Sequence, residues 1–454
     1  SSSATIGIIM DKTSFYYESG GQISDSGTIE IGSTILDVVD VRSYGGYILH
    51  ICVPSEGTTD GELNDIIPGA HAVTKVDYNT RRKIAPNHSM THVLNHALRQ
   101  VLGEGVEQKG SLVSDDKFRF DFNYNRGMKT AEIRQVEELV ADSISNKVQI
   151  CSSIVPLAKA RIINGLQSVF GEVYPDPVRV ISIGANINEL LADPLNEKWK
   201  KTSIEFCGGT HLSNTLEAES FVITEETAIA KGIRRVTGIT GPLATEAKGR
   251  SIGLIQETLV LEDRVNSLTS SSEPMSERDV NHLQRDVVVL KASLNELVVA
   301  QTIKSDLKER LDQCAKILHN ERTKSLLLSA SIAIKKASDE AVHLSESGVT
   351  AAVLHVNIGS NAKSIKFAID EIHKAAPNLA FLALSESPEY NKLSCFSFVP
   401  TGHDIKANEW ITKTLAACGG KGGGTPNMAQ GSLNSYDVDR VKAAYNAAHN
   451  FISN

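Results

Sequence analysis

The sequence predicts a multidomain α+β chain: a small β-barrel or meander at the start, an α/β domain after it, a coiled-coil-like helical hairpin, and a compact α/β domain at the end. Three observations predict it. Short apolar segments punctuated by glycines fill residues 1–75, a strand-and-turn pattern. A stretch almost free of glycine, residues 246–345, carries leucines at alternating steps of four and three. From 346 to 454 apolar runs alternate with helical patterns, as in a sheet covered by helices. A chain of 454 residues is also too long for one hydrophobic core.

Taken in order, Thr28-Ile29-Glu30-Ile31 and Ile35-Leu36-Asp37-Val38-Val39 flank a turn at Gly32-Ser33. Residues 76–245 read as helices over 87–102 and 130–146 mixed with apolar strands, Val178 to Ile183 and Ser220 to Thr224. In residues 246–345 the helical period runs on either side of a break at Thr269-Ser270-Ser271-Ser272-Glu273-Pro274. Leu283, Val287, Leu290, Leu294 and Leu297 form one stripe, and Leu307, Leu311, Cys314 and Leu318 form another. Such stripes are packing seams rather than ligand sites. The last domain reads as strands over 350–358, 379–384 and 394–399 with helices over 364–375, 406–417 and 436–452.

A formal net charge of -8 excludes a protein that coats nucleic acid through a broadly basic surface, so any RNA contact must be local. Six cysteines, far apart and without a CxxC pair, suit a reducing compartment, with the cytoplasm as the expected location. No apolar run approaches the roughly 20 residues that span a bilayer, and the opening Ser1-Ser2-Ser3-Ala4-Thr5 lacks the basic and apolar regions of a signal peptide. Neither a secreted nor a membrane protein is expected. The strand pattern Ile6, Ile8, Met10 begins almost at once, as in a piece cut from a longer protein.

The chemical signal lies in two places, Asn87-His88-Ser89-Met90-Thr91-His92 and Cys207-Gly208-Gly209-Thr210-His211. Pro86 and Asn87 read as a helix start with Asn87 as N-cap, so His88 and His92 project from one face. Cys207 and His211 share the four-residue spacing, but the glycines between them point to a tight turn that folds both side chains inward. Together they form a His3Cys set suited to zinc. A lone HxxxH is more often ordinary surface or core histidine, and His96, one turn on, shows how cheap the spacing is; the pairing with CxxxH gives it weight. The glutamate of HExxH is missing, which argues against peptidase chemistry.

Several stretches, in order along the chain, resemble the alanyl-tRNA synthetases and their free-standing editing relatives. They are Phe15-Tyr16-Tyr17-Glu18-Ser19-Gly20-Gly21-Gln22 with Asp25 and Gly27, the His88–His92 helix, Gln108-Lys109-Gly110-Ser111, Arg119-Phe120-Asp121-Phe122, Cys207 to His211, Gly232-Ile233-Arg234-Arg235, and a terminal glycine cluster. The resemblance runs over essentially the whole chain. Gly20-Gly21-Gln22 is also the tripeptide of peptide release factors, but its context differs, and turn geometry is the reading adopted for it.

The resemblance implies an editing domain over 76–245, with 1–75 as its β-rich subdomain, that cleaves the ester joining serine or glycine to alanine tRNA. It implies zinc held by His88, His92, Cys207 and His211. An aminoacyl ester is already activated, so positioning a water and stabilising the oxyanion suffice without a covalent triad. Whether the zinc carries a catalytic water or is a closed structural site stays open. Thr91 is placed to recognise the serine hydroxyl that alanine lacks, and Gln108 to hold the water or the terminal ribose; otherwise they are a helix threonine and a loop glutamine making local bonds. Arg81, Arg82 and Lys83, with Arg234 and Arg235 (beside Lys231), are expected to steer the acceptor end of the tRNA, although a short basic run is usually a solvated face.

Gly419-Gly420-Lys421-Gly422-Gly423-Gly424, entered through Cys418, does not match a phosphate loop, because Lys421 is followed by glycine and no GxxxxGK[ST] spacing exists. Bare amides can still cradle a phosphate. The resemblance implies a C-terminal tRNA-binding or dimerisation domain over 346–454 and, with the helical linker, a homodimer. It also implies that the aminoacylation domain is absent, so the expectation is a C-terminal portion of the synthetase, with a free-standing trans-editing deacylase as the alternative. A non-catalytic tRNA-binding or oligomerisation module with structural zinc is the reading from another class.

Overall fold

The computed structural model describes residues 5–64, 66–168, 172–270 and 275–453. The Ser1 to Ala4 start and the Ser271 to Pro274 part of the expected helical break lie outside these. The chain divides into two units, Ser1–Val260 with Val288–Asp312, and Leu261–Val287 with Gln313–Asn454.

The first unit opens with β1 (Ile6–Ile9), β2 (Gly27–Ile31), β3 (Thr34–Tyr44), β4 (Tyr47–Pro54) and β5 (Ala72–Val76), the short helix α1 (Asp60–Asn64) lying between the last two. All pairings are antiparallel, in the order β1-β4-β3-β2-β5. Alternation sends Leu36, Val38 and Val41 inward against Phe15, Ile29 and Cys52 while Ile35 stays exposed. The expected barrel does not close. Among the described residues β1 and β5 remain edges, because β1 is only four residues long and β5 runs straight into a helix.

That helix, α2 (Tyr78–Leu102), starts nine residues before Asn87, so Asn87 is not its cap. Asp77 is the N-cap, accepting from the amides of Asn79 and Thr80, and Pro86 sits inside the helix. The proline forfeits one backbone bond, but the turns around it are locked by burial from Ile84 to Leu98 with only His96 less than buried. Behind α2 lies the sheet β11-β12-β7-β6, formed by β6 (Gln108–Val113), β7 (Phe118–Asn123), β11 (Phe221–Ala230) and β12 (Ile233–Thr240). Phe118, Phe120 and Phe122 meet Met90, Leu94 and Leu98 there, and α3 (Thr130–Ser145) completes the core with Ile133, Val136 and Val140. A third antiparallel sheet, β10-β9-β8, joins β8 (Ile150–Val155), β9 (Val178–Ile183) and β10 (Ser203–Phe206), with α4 (Leu157–Ala160) and α5 (Ile187–Ala192) in its connections.

Among the described residues the expected helical hairpin is instead three helices: α6 (Gly241–Thr269), α7 (Glu277–Glu296) and α8 (Gln301–Glu346). Leu283, Val287, Leu290, Leu294, Leu307, Leu311, Cys314 and Leu318 are all buried, whereas Leu297 is 40% exposed. Leu297 falls in the non-helical break before α8, where the heptad phase ends, and the Leu297-Val298-Val299-Ala300 run gave no glycine or proline to mark it.

In the second unit β13 (Ala351–His355) pairs parallel with β14 (Ala380–Ser387), and β15 (Lys392–Phe398), β17 (Met428–Asn434) and β16 (Lys421–Gly424) extend the sheet antiparallel. Phe381 and Ala383 face the core of α9 (Ala362–Ala375), and Leu382 and Leu384 face that of α10 (Ala407–Ala416) and α11 (Val438–Ser453). Coverage on both faces explains why β14 is continuously apolar from Ala380 to Leu384. Trp410 of α10 is fully buried and donates its indole N–H to the Ala448 carbonyl at 3.0 Å.

Candidate metal centre and its cleft

Residues 119 apart meet at one point. His88 and His92 from α2, with Cys207 and His211 from the loop leaving β10, bring one ligand atom each to within 4.8 Å of one another. Cys207 Sγ lies 3.2 Å from His88 Nε2 and 3.4 Å from His211 Nε2, the scale expected of donors sharing an ion with bonds of about 2.0–2.3 Å. The Gly208-Gly209 turn makes this possible. A β-carbon on Gly209 would stand 2.0 Å from His88 Cε1 and 2.3 Å from its Nδ1. His96 is not in the group; its Nε2 contacts Gln100 Nε2 at 2.8 Å.

The outward ring nitrogens are each held. His88 Nδ1 meets Gln22 Oε1 at 2.6 Å, His92 Nδ1 meets a Glu205 carboxylate oxygen, and His211 Nδ1 meets Ser89 Oγ at 3.3 Å. Asn95 Nδ2 donates to the other Glu205 oxygen at 2.9 Å. A carboxylate only accepts here, so His92 carries its proton on Nδ1 and turns Nε2 inward. That Nε2 is buried and lacks any protein partner. Three imidazoles with outward nitrogens fixed, a thiol among them, and an inward buried nitrogen without a partner are the arrangement a zinc ion requires. The residues therefore fit the metal.

Electrostatics agree. Burial would raise the Cys207 thiol, but the His88, His92 and His211 imidazoles around it bring it well below its ordinary value. Burial opposes charge on His92, yet Glu205 and Cys207 hold its pKa up at about 10. Burial, then the nearby His88, pushes His211 down to about 3. Thiolate character is the form that binds metal.

His88, His92 and Cys207 line a cleft of about 900 Å³ together with Tyr16, Gly20, Thr91, Gln108, Arg179 and Gly208, among others. Thr91 is buried and donates its hydroxyl to the Asn87 carbonyl at 2.8 Å. Gln108 sits at a bulge where β6 slips against β7, and its Nε2 donates to Ser111 Oγ at 3.2 Å. Arg179 donates to the Gly209 carbonyl at 2.5 Å and fixes the glycine turn. Gln22, Ser89, Asn95 and Glu205 were not among the sequence-predicted site residues. The Ser19-Gly20-Gly21-Gln22 turn forms, yet the Gln22 side chain does more than turn the chain.

The basic residues divide. Arg81 is bound to the buried Asp25 and to the Ser14 carbonyl, Arg234 pairs with Glu226 at 2.5 Å, and Arg235 grips both Asp121 oxygens at 2.7 Å. Arg82, Lys83 and Lys231 are exposed. None of these six lines the cleft.

In the second unit Lys421 to Gly424 form the edge strand β16, fully exposed, and Gly419 and Gly420 form the turn into it. The cluster is a hairpin arm rather than a loop between helices. A β-carbon on Gly422 would come 2.5 Å from Ile411 Cγ2, and one on Gly431 2.4 Å from Gly422 Cα. Close approach of the hairpin to α10 explains these glycines. Gly423 meets nothing within 4 Å and remains bare toward solvent. Among the described residues no helix is long and apolar enough to cross a membrane.

Residues 178–237 match the "Threonyl and Alanyl tRNA synthetase second additional domain", residues 1–68 the "tRNA synthetases class II (A)" family, and residues 346–454 the "DHHA1 domain". The chain is 36% identical over 436 residues to the cytoplasmic alanine–tRNA ligase of Dictyostelium discoideum, covering 94% of this chain and 44% of that protein. It is 37% identical over 446 residues to the cytoplasmic enzyme of Drosophila melanogaster, covering 96% and 44%. With the mitochondrial alanine–tRNA ligase of Saccharomyces cerevisiae it shares 36% over 437 residues, covering 94% and 42%. It thus spans less than half the length of these relatives. The solved C-Ala domain from Aquifex aeolicus alanyl-tRNA synthetase aligns with 22% of this chain and 87% of that one at 18% identity, with a TM-score of 0.18.

Proposed function

Because the chain belongs to the alanyl-tRNA synthetase family, we propose that it is the editing portion of an alanine–tRNA ligase. It hydrolyses the ester of serine or glycine wrongly attached to alanine tRNA and carries a C-terminal tRNA-binding domain. One observation carries the reading: three members of the His3Cys group, His88, His92 and Cys207, line a cleft whose walls also hold Thr91 and Gln108.

His88, His92, Cys207 and His211 would hold zinc, which when bound can polarise a carbonyl and lower the pKa of a water. The remaining work falls to the chain's own side chains. The Thr91 hydroxyl proton is committed to the Asn87 carbonyl, so the oxygen is left to accept from a substrate donor. A serine hydroxyl can supply that donor and an alanine methyl cannot. Gln108, its amide oriented by Ser111, offers its carbonyl to a water or ribose hydroxyl in the cleft. Gly208 and Gly209, held by Arg179, keep the wall beside the ester free of side chains. Of the expected basic residues, Arg82, Lys83 and Lys231 are exposed and would meet the acceptor end outside the cleft, whereas Arg81, Arg234 and Arg235 are engaged in ion pairs. The exposed edge of β16 (Lys421–Gly424) that faces away from β17, with the Lys421 ammonium, would meet tRNA backbone, while Gly419 and Gly420, whose amides are bound to the Ala416 and Leu415 carbonyls, shape the turn into it. Partnership with alanine tRNA, a homodimer through the helical and C-terminal regions, and a cytoplasmic location belong to the same proposal.

The test is loss of serine from serine-charged alanine tRNA, with alanine-charged tRNA as control. Zinc near one ion per chain, selective loss of serine, and abolition of both in His88→Ala are expected. Equal, background-level loss of both esters would leave a binding module. The four-donor set itself favours that second reading, since structural zinc sites are typically closed by four protein ligands.

A further inference from the structure

We infer that Gln22 is a positioning residue for the metal centre: its side-chain carbonyl fixes the His88 ring in the tautomer that turns Nε2 inward and pins the Gly208-Gly209-Thr210 turn beside it. The inference rests on reading the His3Cys group as a metal centre.

The tautomer follows from one unambiguous donor. The Thr210 backbone N–H meets a Gln22 side-chain atom at 3.0 Å, and a backbone amide can only donate, so that atom is the carbonyl oxygen Oε1. His88 Nδ1 meets the same oxygen at 2.6 Å and the Thr210 hydroxyl meets it at 3.2 Å. An oxygen that accepts from Thr210 cannot donate to a ring nitrogen, so Nδ1 carries the proton and Nε2 presents its lone pair toward Cys207 and the other donors. The second outward contact of this kind, from Glu205 to His92, uses a charge. Gln22 achieves the same with a neutral amide.

Position makes the contact consequential. Gln22 is completely buried, and its backbone is tied to the Ser19 turn by a 3.0 Å bond and to β6 through a bridge at Val113. It comes from the segment that supplies Tyr16, Tyr17 and Gly20 to the cleft wall. One oxygen thereby joins that wall to α2 on one side and to the loop bearing Cys207 and His211 on the other. Nothing else about Gln22 needs an amide: its Nε2 is buried with no partner, an unfavourable arrangement that a residue chosen for packing alone would avoid.

Two substitutions of nearly equal shape separate acceptance from packing. Gln22→Met keeps the length and removes the acceptor, whereas Gln22→Glu keeps the acceptor and removes the orphaned N–H. In the full chain, zinc affinity measured against a competing chelator should fall about 10–100-fold in Gln22→Met and stay within a few-fold of the parent in Gln22→Glu. Ring ¹⁵N resonances of His88 in metal-free protein should report Nδ1–H in the parent and in Gln22→Glu, and a mixture in Gln22→Met. Thermal melting with chelator checks that all three fold. Equal affinity in the two variants, or equal loss in both, would overturn the assignment, as would a folded parent that binds no zinc. Because neither readout involves tRNA, reduced affinity in Gln22→Met beside a parent that deacylates nothing would uphold the role of Gln22 and remove only the proposed activity.

Discussion

Gly209→Ala is the sharpest perturbation of the centre, because a single methyl group is aimed at one imidazole. The added carbon would lie 2.0 Å from His88 Cε1 and 2.9 Å from Gln22 Oε1. An ordinary contact begins near 3.4 Å, so either the ring retreats by roughly 1.4 Å or the turn carrying Cys207 and His211 backs away by as much. Neither can happen while four donors still converge. A displacement of about 1 Å at a reacting centre costs on the order of 10²-fold in rate, and loss of a metal ligand's support costs about 10–100-fold in affinity. Deacylation of serine-charged alanine tRNA should therefore fall by at least about 100-fold, with zinc content of the purified protein falling alongside. Gly208→Ala is the control, since a β-carbon there meets nothing within 4 Å, and it should retain zinc. Gly209→Ala protein with parental zinc content and activity would refute the reasoning, and so would a Gly208→Ala protein equally depleted of zinc.

Glu205→Gln keeps a contact to His92 but removes the charge that holds its proton; zinc affinity should drop about tenfold with the fold intact, checked by chelator competition. The melting midpoint of the chelated protein should fall on acidification below about pH 6.5, because unfolded His211 takes up a proton that the folded residue refuses down to about 3, and Cys207 acts in the same sense. From 6.5 to 9 the proton retained by His92 offsets the one released by Cys207, giving a plateau; a midpoint highest at acid pH would contradict this. Arg82→Ala with Lys83→Ala should raise the KM for charged tRNA in a salt-dependent way without changing the melt, whereas Arg235→Ala should lower stability by about 1 kcal/mol through its half-exposed pair with Asp121. Gly431→Ala should cost the second unit about 1–3 kcal/mol by overpacking against Gly422 and Leu415, with Gly423→Ala near neutral, read by chemical denaturation.

The sequence revealed the donors and hid what holds them. HxxxH and CxxxH are visible because their spacing is local, and the glycines between Cys207 and His211 announce a turn. Gln22 contacts Thr210 from 188 positions away and Glu205 contacts His92 from 113, distances at which no periodicity carries information. In the last domain the apolar strands β13 to β15 and the three helices were legible, whereas β16 and β17 were not, because glycines and polar residues fill them and an edge hairpin needs no apolar run. The helical region was legible in its buried stripes but not in its count, since the break at Leu297-Val298-Val299-Ala300 consists of residues that also fit a helix. Pro86 misled the reading of α2: a proline is an ordinary stop or start signal, and only tertiary burial keeps the helix running through it.

The strongest physical support for a functional centre is the composition of α2 itself. A buried helix is normally apolar all round, yet the segment Asn87 to Asn95 buries Asn87, His88, Ser89, Thr91, His92 and Asn95. Most of these polar groups have partners spread over the first unit. Asn87 donates to the Ser114 carbonyl at 2.9 Å and accepts from Thr240 Oγ1 at 2.7 Å, while Ser89 accepts from the Leu212 amide at 3.0 Å. A core built only for stability would place aliphatic side chains here, because hydrogen-bonded polar groups merely recover what their desolvation costs. Along this stretch the satisfied groups orient rings, turn and carboxylate around a point where His92 Nε2 is left without a protein partner. Bonded polar groups gathered around an inward-facing ring nitrogen that has no protein partner are what a ligand site requires and what a packing helix would eliminate.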